Sequence, residues 1–275
     1  MYREYWQLEK KPFEPSGDVQ SVFSLAAQQA ALHKLRYAIE SRRGAALLAG
    51  PPGIGKTLLI AMLGNQFEEA CGKFVQVVFP LMSSRDLLVY LAEQLGAPPA
   101  DPPQLTVEES LRRLHFAFEE NSRRGRHTVV VVDEAHLLED GGLLETLRLL
   151  LNLQPAGQPA FTLILSGQPT LLSAMQRNRS LEERLDISIL LRPFSQEETV
   201  AYIEHRLQVA GATRSIFAAE ALLLAHQLAG GIPRRVNRLC DLALVVGFAA
   251  RQHTIGAAEL QSVHDELVTL SAVAA

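Results

Sequence analysis

The chain alternates short apolar runs with longer stretches in which apolar residues recur at helical spacing. The short runs, which predict β-strands, are GAALLAG (44–50), FVQVVF (74–79), TVVVV (128–132), FTLILSG (161–167) and ISILL (187–191). Amphipathic segments such as LLVYLAEQLG and VEESLRRLHFAFEENS lie between them and predict helices. Strands that alternate with helices in this way indicate the α/β class, with a parallel sheet flanked by helices.

Polar residues at fixed offsets predict where several helices begin. SSRD (83–86) and TVEE (106–109) have the composition of helix N-termini, and the second has capping-box spacing. The segment 97–104 holds four prolines and predicts a rigid loop between these two helices. After Leu191 only helical patterns follow, beginning with Ser195 and Glu198 in capping-box spacing. We therefore expect a sheet domain over residues 1–193 and a small all-α domain over residues 194–275.

Composition describes an ordinary globular protein of 275 residues, with 48% hydrophobic and 20% charged residues. A net charge of −4 gives no global attraction to nucleic acid or to anionic membranes. Cys71 and Cys240 lack metal-binding spacing, which favours buried free thiols in a reducing compartment. The N-terminus lacks the apolar core of a signal peptide, and no apolar run reaches the roughly 20 residues that span a bilayer. The sequence predicts a cytoplasmic protein without a membrane span.

Two acids, Asp133 and Glu134, directly follow the valine run of the third predicted strand. Adjacent carboxylates at the end of a buried strand are costly unless a cation or a reacting water uses them. The alternative is that they begin a helix, where carboxylates suit the positive end of the helix dipole. This segment alone does not separate the two readings.

The first predicted strand runs into GPPGIGKT, which precedes a helical pattern. The segment matches G-x-x-x-x-G-K-[ST] in its required context of strand, loop and helix, so it predicts a phosphate-binding loop for ATP. Glycines let backbone N–H groups approach phosphate oxygens, and the helix adds its positive N-terminal end. Lys56 supplies a charge for the β- and γ-phosphates, and Thr57 a hydroxyl ligand for Mg²⁺. The predicted binding residues are Gly50, Pro51, Pro52, Gly53, Ile54, Gly55, Lys56, Thr57 and Leu58.

A phosphate loop gives the two acids a role. Asp133 is predicted to hold Mg²⁺, and Glu134 to orient and deprotonate the attacking water. The segment with His136, DEAH, also matches a helicase box. However, the arginine-rich late motif of those helicases is missing, and one phosphate loop with a helical C-terminal domain does not fit two tandem cores.

Several motifs in their order along the chain resemble AAA+ ATPases, and in particular the ExeA/GspA-like secretion ATPases. The segments are YREYWQLEKKPFEP, VVVVDEAHLL, LRLLLNLQ, LSGQP, AYIEHRLQVAG and GGIPRRVNRLCDLAL, which together extend over nearly the whole chain. The resemblance implies a P-loop NTPase sheet of strand order 5-1-4-3-2 with helices on both faces and a helical lid. It also implies a homo-oligomer, a ring or a filament, with ATP between subunits.

The resemblance assigns further roles by position. Ser166 at the end of the fourth strand resembles the sensor-1 residue that responds to the γ-phosphate, with Gln168 as an alternative because the strand end is uncertain. Arg184, just before the fifth strand, resembles an arginine finger that a subunit offers to its neighbour. Arg177 and Arg179 are weaker candidates for that role, and a solvated arginine is the alternative for Arg184.

Two further assignments concern the lid and the N-terminus. Arg234 resembles a sensor-2 arginine that reaches the γ-phosphate from the lid, on a helix whose start Gly231 and Pro233 would set. Pro12 and Phe13 occupy the place where the family closes its adenine pocket, although Phe13 also fits a core role.

Three functions are compatible with these residues. The first is an ATPase that assembles or remodels a protein partner, here secretion or envelope machinery. The second is a DNA-binding transposition regulator of the MuB/TniB type, whose phosphate contacts would come from Arg42, Arg43, Arg112, Arg113, Arg123, Arg124 and Arg126. The third is a nucleotide switch with little turnover, against which Glu134 and Arg184 argue.

Overall fold

The structure, a computed structural model, describes residues 2–14, 25–68, 72–78, 80–99, 105–138, 142–154 and 158–273. Its strands are β1 (Ala45–Ala49), β2 (Lys73–Val77), β3 (Thr128–Val132), β4 (Phe161–Gly167) and β5 (Leu185–Leu190). A 3-10 turn spans Ala135–Leu138. The helices are α1 (Tyr2–Tyr5), α2 (Ala26–Glu40), α3 (Lys56–Glu68), α4 (Ser84–Gln94), α5 (Val107–Arg123), α6 (Leu143–Leu150), α7 (Thr170–Arg177), α8 (Arg179–Glu182), α9 (Gln196–Val209), α10 (Ala219–Ala229), α11 (Pro233–Ala249) and α12 (Ala257–Val273).

The five strands form one sheet of order β2-β3-β4-β1-β5, in which every pair is parallel. This is the predicted order 5-1-4-3-2 read from the other edge, so the predicted fold class is confirmed. Every residue of β1, β3 and β4 is buried, as expected for central strands covered on both faces. The carboxyl ends of these three strands are adjacent, and the candidate site is built there.

Helices cover both faces of the sheet. Alternate residues of the strands, such as Leu47, Val130 and Leu163, share a core cluster with side chains of α4, α5, α6 and α7. On the other face, α2 packs on β1 and β5, and α3 packs on β2 and β4. The period of two along each strand explains this division, since successive side chains point to opposite faces.

The predicted helix starts are confirmed. Thr106 accepts a hydrogen bond from the backbone N–H of Glu109, whose carboxylate in turn accepts one from the backbone N–H of Thr106. Ser195 and Glu198 form the same reciprocal pair at α9, and Ser83 caps α4. Of the proline segment, residues 100–104 lie outside the described part of the chain.

By contacts, the chain divides into a sheet unit, Ala26–Gly50 with Lys56–Leu191, and a helical unit, Met1–Leu25 with Pro51–Gly55 and Arg192–Ala275. The helical character predicted after Leu191 is confirmed by α9 to α12. The domain division between residues 193 and 194 stays a prediction. The contacts group the N-terminal residues with the helical unit.

Aromatic side chains fix the N-terminal segment within the helical unit. Trp6 is 1% exposed and its indole N–H donates to the carbonyl of Leu244, while the Tyr2 hydroxyl donates to Asp241. Phe13 is buried and packs edge-on against Phe217. Phe13 therefore has the core role that the sequence also allowed, and its contact with adenine stays a prediction.

Of the two cysteines, Cys240 is a free thiol in the core of the helical unit, as predicted. Burial raises its pKa well above the ordinary value, which makes the thiol unreactive. Cys71 lies outside the described residues.

Candidate nucleotide-binding site

The phosphate loop connects the carboxyl end of β1 to the first residue of α3. Gly53 and Gly55 have φ angles of 80° and 106°, in the left-handed region that glycine adopts without a steric penalty. Because α3 begins at Lys56, its first turn follows the loop directly, and the N–H groups at the start of a helix bind anions. Lys56 is 6% exposed, and its ammonium donates to the Gly50 carbonyl at 2.8 Å. This geometry is that of a phosphate cradle, as the sequence predicted.

Asp133, 4% exposed at the end of β3, connects the ends of neighbouring strands. Its Oδ2 accepts a hydrogen bond from the Thr57 hydroxyl at 2.9 Å, and its Oδ1 accepts one from the Ser166 hydroxyl at 2.8 Å. The backbone N–H of Glu134 also donates to Oδ1, at 3.0 Å. These bonds compensate for burial of the carboxylate and orient it towards the start of α3.

The oxygen donors in this place fit a magnesium ion. The Thr57 hydroxyl and the Asp133 carboxylate lie within hydrogen-bonding distance of each other, so one ion could contact both or contact them through water. Mg²⁺ prefers oxygen ligands and retains several waters, with only one or two ligands from protein. Among the described residues, no group of three or more His, Cys, Asp or Glu side chains could hold a metal ion.

Glu134 differs from Asp133 in exposure and backbone. Its side chain is 47% exposed, and its φ of 50° lies in the left-handed region that residues with a Cβ rarely adopt. The chain turns sharply there, because the 3-10 turn follows at once and the Leu137 N–H donates to the Glu134 carbonyl. As a result, consecutive carboxylates face different surroundings, one buried and one accessible to water.

The two candidates for sensor 1 have different partners. Ser166 is fully buried and donates to Asp133, whereas Gln168 lies one residue beyond β4 and its amide nitrogen is 3.0 Å from His136 Nε2. His136 Nδ1 is in turn 3.4 Å from Glu134 Oε2. The sequence left His136 without a role. The signal for this contact is that DEAH directly follows the third predicted strand and Gln168 directly follows the fourth.

Arg234 lies in the first turn of α11, where Pro233 occupies the first position, as the sequence predicted. Its backbone N–H donates to the carbonyl of Gly53 at 3.2 Å. A Cβ added to Gly53 would lie 2.8 Å from the Cβ of Arg234, so glycine is required for this contact. The structure therefore brings the predicted sensor-2 arginine to the phosphate loop.

Arg184 lies where the strands of the sheet begin, whereas the acid pair lies where they end. It directly precedes Leu185, which pairs with Ala45 at the start of β1, whereas Asp133 follows the last residue of β3. Strands of five to six residues, at about 3.3 Å per residue, separate these two ends of the sheet by roughly 15–20 Å. The Arg184 guanidinium donates to the Asn152 side chain at 2.5 Å. Its own chain's site is out of reach.

Several arginines considered for DNA contact are engaged with other groups. Those paired with carboxylates at the surface are Arg43 with Asp186, Arg112 with Glu108, Arg123 with Glu119 and Glu120, and Arg124 with Glu120. Arg113 donates to the carbonyl of Pro98, and Arg42 to the Gln158 side chain. These acids reduce the positive potential that a phosphate backbone requires.

As to membranes, none of the helices in the described ranges is both long enough and apolar enough to cross a bilayer.

Comparison with known proteins agrees with the geometry. A family model described as an AAA domain matches residues 39–175. General secretion pathway protein A of Aeromonas hydrophila is 34% identical over 276 residues, covering 97% of this chain and 50% of that protein. The chain thus spans half the length of that relative.

Solved structures share the fold at low sequence identity. The Drosophila ORC structure bound to DNA has a TM-score of 0.73 at 18% identity and covers 96% of this chain and 66% of its own. The Aeropyrum pernix ORC2 protein, in ADPNP–ADP complexes, has a TM-score of 0.68 at 16% identity, with coverage of 94% and 72%. The Thermotoga maritima RuvB Holliday junction branch migration motor has a TM-score of 0.62 at 18% identity, with coverage of 93% and 73%.

With the order of its sheet, its phosphate loop and an AAA-domain match, the chain is a P-loop ATPase of the AAA+ class. Its similarity to General secretion pathway protein A extends over nearly all of its length. It belongs to the GspA-like family within that class.

Proposed function

We propose that the protein binds Mg·ATP and hydrolyses it to ADP and phosphate, and that Glu134 is the general base. The observation that carries this proposal is the pair of carboxylates after β3, of which Asp133 is buried and bonded to Thr57 while Glu134 is exposed to water. Bound Mg²⁺ would neutralise charge on the phosphates.

The residues of the chain divide the reaction between them. The loop N–H groups and Lys56 hold the phosphate oxygens, with Thr57 and Asp133 beside the metal. The Glu134 carboxylate accepts a proton from water as the water oxygen bonds to the γ-phosphorus and the bond to the ADP oxygen breaks. Arg234, whose backbone N–H donates to the Gly53 carbonyl, adds positive charge beside that part of the loop.

We also propose that the active form is a homo-oligomer, a ring or a filament, in which Arg184 serves the site of a neighbouring subunit. Support comes from the position of Arg184 at the amino ends of the strands, far from the acid pair of its own chain. An arginine offered in this way stabilises charge on the transferring phosphoryl group.

For the biological role we propose turnover coupled to assembly or remodelling of secretion or envelope machinery. Its support is the similarity to a general secretion pathway protein. The transposition alternative has less support, since many of the arginines it would use are already paired with acids. A salt-dependent gel shift with ATP distinguishes the two, because a DNA-binding regulator must retard DNA at low salt.

Glu134→Gln tests the proposed reaction. We expect the variant to bind Mg·ATP within a few-fold of the wild type, whereas phosphate release falls by about 100-fold or more, since the amide cannot accept the proton. Glu220→Gln, on the exposed face of α10, is the matched control and should hydrolyse ATP at the wild-type rate. A Glu134→Gln variant that hydrolyses ATP as fast as wild type would show that Glu134 is not the base.

A further inference from the structure

The imidazole of His136 lies between the proposed base and the residue that follows β4. Its side chain is 14% exposed, with Nδ1 3.4 Å from Glu134 Oε2 and Nε2 3.0 Å from the Gln168 side-chain nitrogen. The backbone N–H of Gln168 also points at Nδ1, at a distance of 3.5 Å. The ring also lies close to the backbone of Gly167. A Cβ added to Gly167 would lie 3.2 Å from the His136 backbone nitrogen and 3.4 Å from Nδ1.

Donor and acceptor chemistry links the tautomer of His136 to the orientation of the Gln168 amide. When the amide nitrogen of Gln168 faces the ring, it can only donate, so His136 Nε2 accepts from it. A neutral imidazole has one N–H, which then lies on Nδ1 and faces the Glu134 carboxylate. In this arrangement Nδ1 carries the proton, so it cannot accept a hydrogen bond from the Gln168 backbone N–H. The distance of 3.4 Å is at the long end of the range for a hydrogen bond.

A second arrangement of the same groups removes this contact. If the Gln168 amide turns by 180°, its oxygen accepts from Nε2–H and Nδ1 becomes an acceptor for the Gln168 backbone N–H. Nδ1 then presents a lone pair to Glu134, and the carboxylate loses its donor. The orientation of one amide after β4 therefore determines whether Glu134 is held.

We propose that His136 is the positioning residue of Glu134, and that Gln168 sets its tautomer and so couples the end of β4 to the base. This inference rests on the proposed hydrolysis. Glu134 needs such a partner because its side chain is half exposed and its backbone is in an uncommon conformation. A base that is held at one angle contributes more to the rate than one that samples many.

Three substitutions at His136 separate this role from simple packing. Asn places its amide nitrogen near the position of Nδ1, Gln places its amide nitrogen near Nε2, and Ala removes both. We expect His136→Ala and His136→Gln to lower kcat by about 10- to 100-fold and His136→Asn to recover most of it, with KM for Mg·ATP little changed. His33→Asn, on the exposed face of α2, is the control.

Gln168→Leu tests the coupling. We expect it to lower kcat about 10-fold in the wild-type chain but to have no further effect in His136→Ala, because the chain of contacts is already broken. Equal losses for His136→Asn and His136→Gln, or additive losses for Gln168→Leu and His136→Ala, would overturn the inference.

The same measurements distinguish a failure of the proposed hydrolysis from a failure of the role proposed for His136. If wild type does not hydrolyse Mg·ATP, the reaction itself is wrong. If wild type hydrolyses it and Glu134→Gln does not, while all His136 variants match the wild-type kcat, only the role of His136 is wrong.

Discussion

At the scale of single residues, His127 shows how burial sets the charge of a side chain. It directly precedes β3, and its Nε2 is 2.9 Å from the Thr162 hydroxyl, which donates to the Arg43 carbonyl at 2.7 Å. Since the Thr162 proton is used there, His127 must donate from Nε2. Burial, with a smaller contribution from the positive charge of Arg42, lowers the pKa of His127 to about 4.

This pKa predicts a pH dependence of stability. The pKa of His127 is about 4 in the folded chain, below the ordinary value of 6.5, so only the unfolded chain takes up a proton between these values. The stabilisation is fully present above about pH 6.5 and is lost as the pH falls towards 4. His127→Gln keeps a donor near Thr162 and does not titrate. Urea denaturation should show that the difference in unfolding free energy between wild type and His127→Gln moves against wild type over this window. A constant difference would contradict the assignment.

At the scale of elements, the phosphate loop depends on close contact with the first turn of α11. Gly53 has φ 80°, and a Cβ there would lie 2.8 Å from Arg234 Cβ and 3.2 Å from Ile232 Cγ2. One glycine therefore meets two demands, a left-handed backbone and the approach of a neighbouring helix.

Gly53→Ala should weaken Mg·ATP binding by about 10-fold or more, because the loop must move away from Arg234. Gly125→Ala is the matched control: Gly125 has φ 72°, but nothing lies within 4 Å of an added Cβ. Both variants pay about 1–2 kcal/mol for left-handed alanine, and only Gly53→Ala should lose nucleotide affinity. Binding measured with a fluorescent ATP analogue distinguishes them, and equal affinities for the two variants would refute the contact.

Individual elements also show what the sequence could predict. The valine run of β3 and the apolar run of β4 gave the observed bounds, because buried central strands are continuous apolar segments. The prediction for β5 began two residues late, since Leu185 and Asp186 belong to an edge strand with alternating exposure. The second strand ends at Val77, earlier than predicted, and Phe79 lies outside the described residues.

The candidate site also has residues that the sequence could predict and contacts that it could not. Lys56, Thr57 and the acid pair follow from local spacing, because each motif requires its residues within one loop or one strand end. The contact of His136 with Gln168 depends on the register of β3 against β4, in which Val132 pairs with Leu165. One sequence does not reveal that register. The grouping of the N-terminal residues with the helical unit was not predicted either, since the segment around Phe13 has no periodic pattern that identifies its core.

At the scale of the whole molecule, the position of Arg184 predicts that activity requires neighbouring subunits. Arg184→Ala should abolish hydrolysis and leave nucleotide affinity unchanged, while Lys56→Ala should lose binding. Mixing the two variants should restore turnover, because the Lys56→Ala subunit supplies the arginine that its neighbour lacks. Arg177→Ala and Arg179→Ala, mixed in the same way, test the weaker candidates. Phosphate release from the mixture is the measurement, and no recovery would contradict an arginine supplied in trans.

The most direct test of the account is calorimetric titration of Mg·ATP into the wild-type chain and into Lys56→Ala. We expect saturable binding by wild type, and at least about 10-fold weaker binding by the variant, since it lacks the charge held beside the Gly50 carbonyl. Lys34→Ala, exposed on α2, should bind as wild type does. No binding of Mg·ATP by wild type, or equal affinity in Lys56→Ala, would contradict the account.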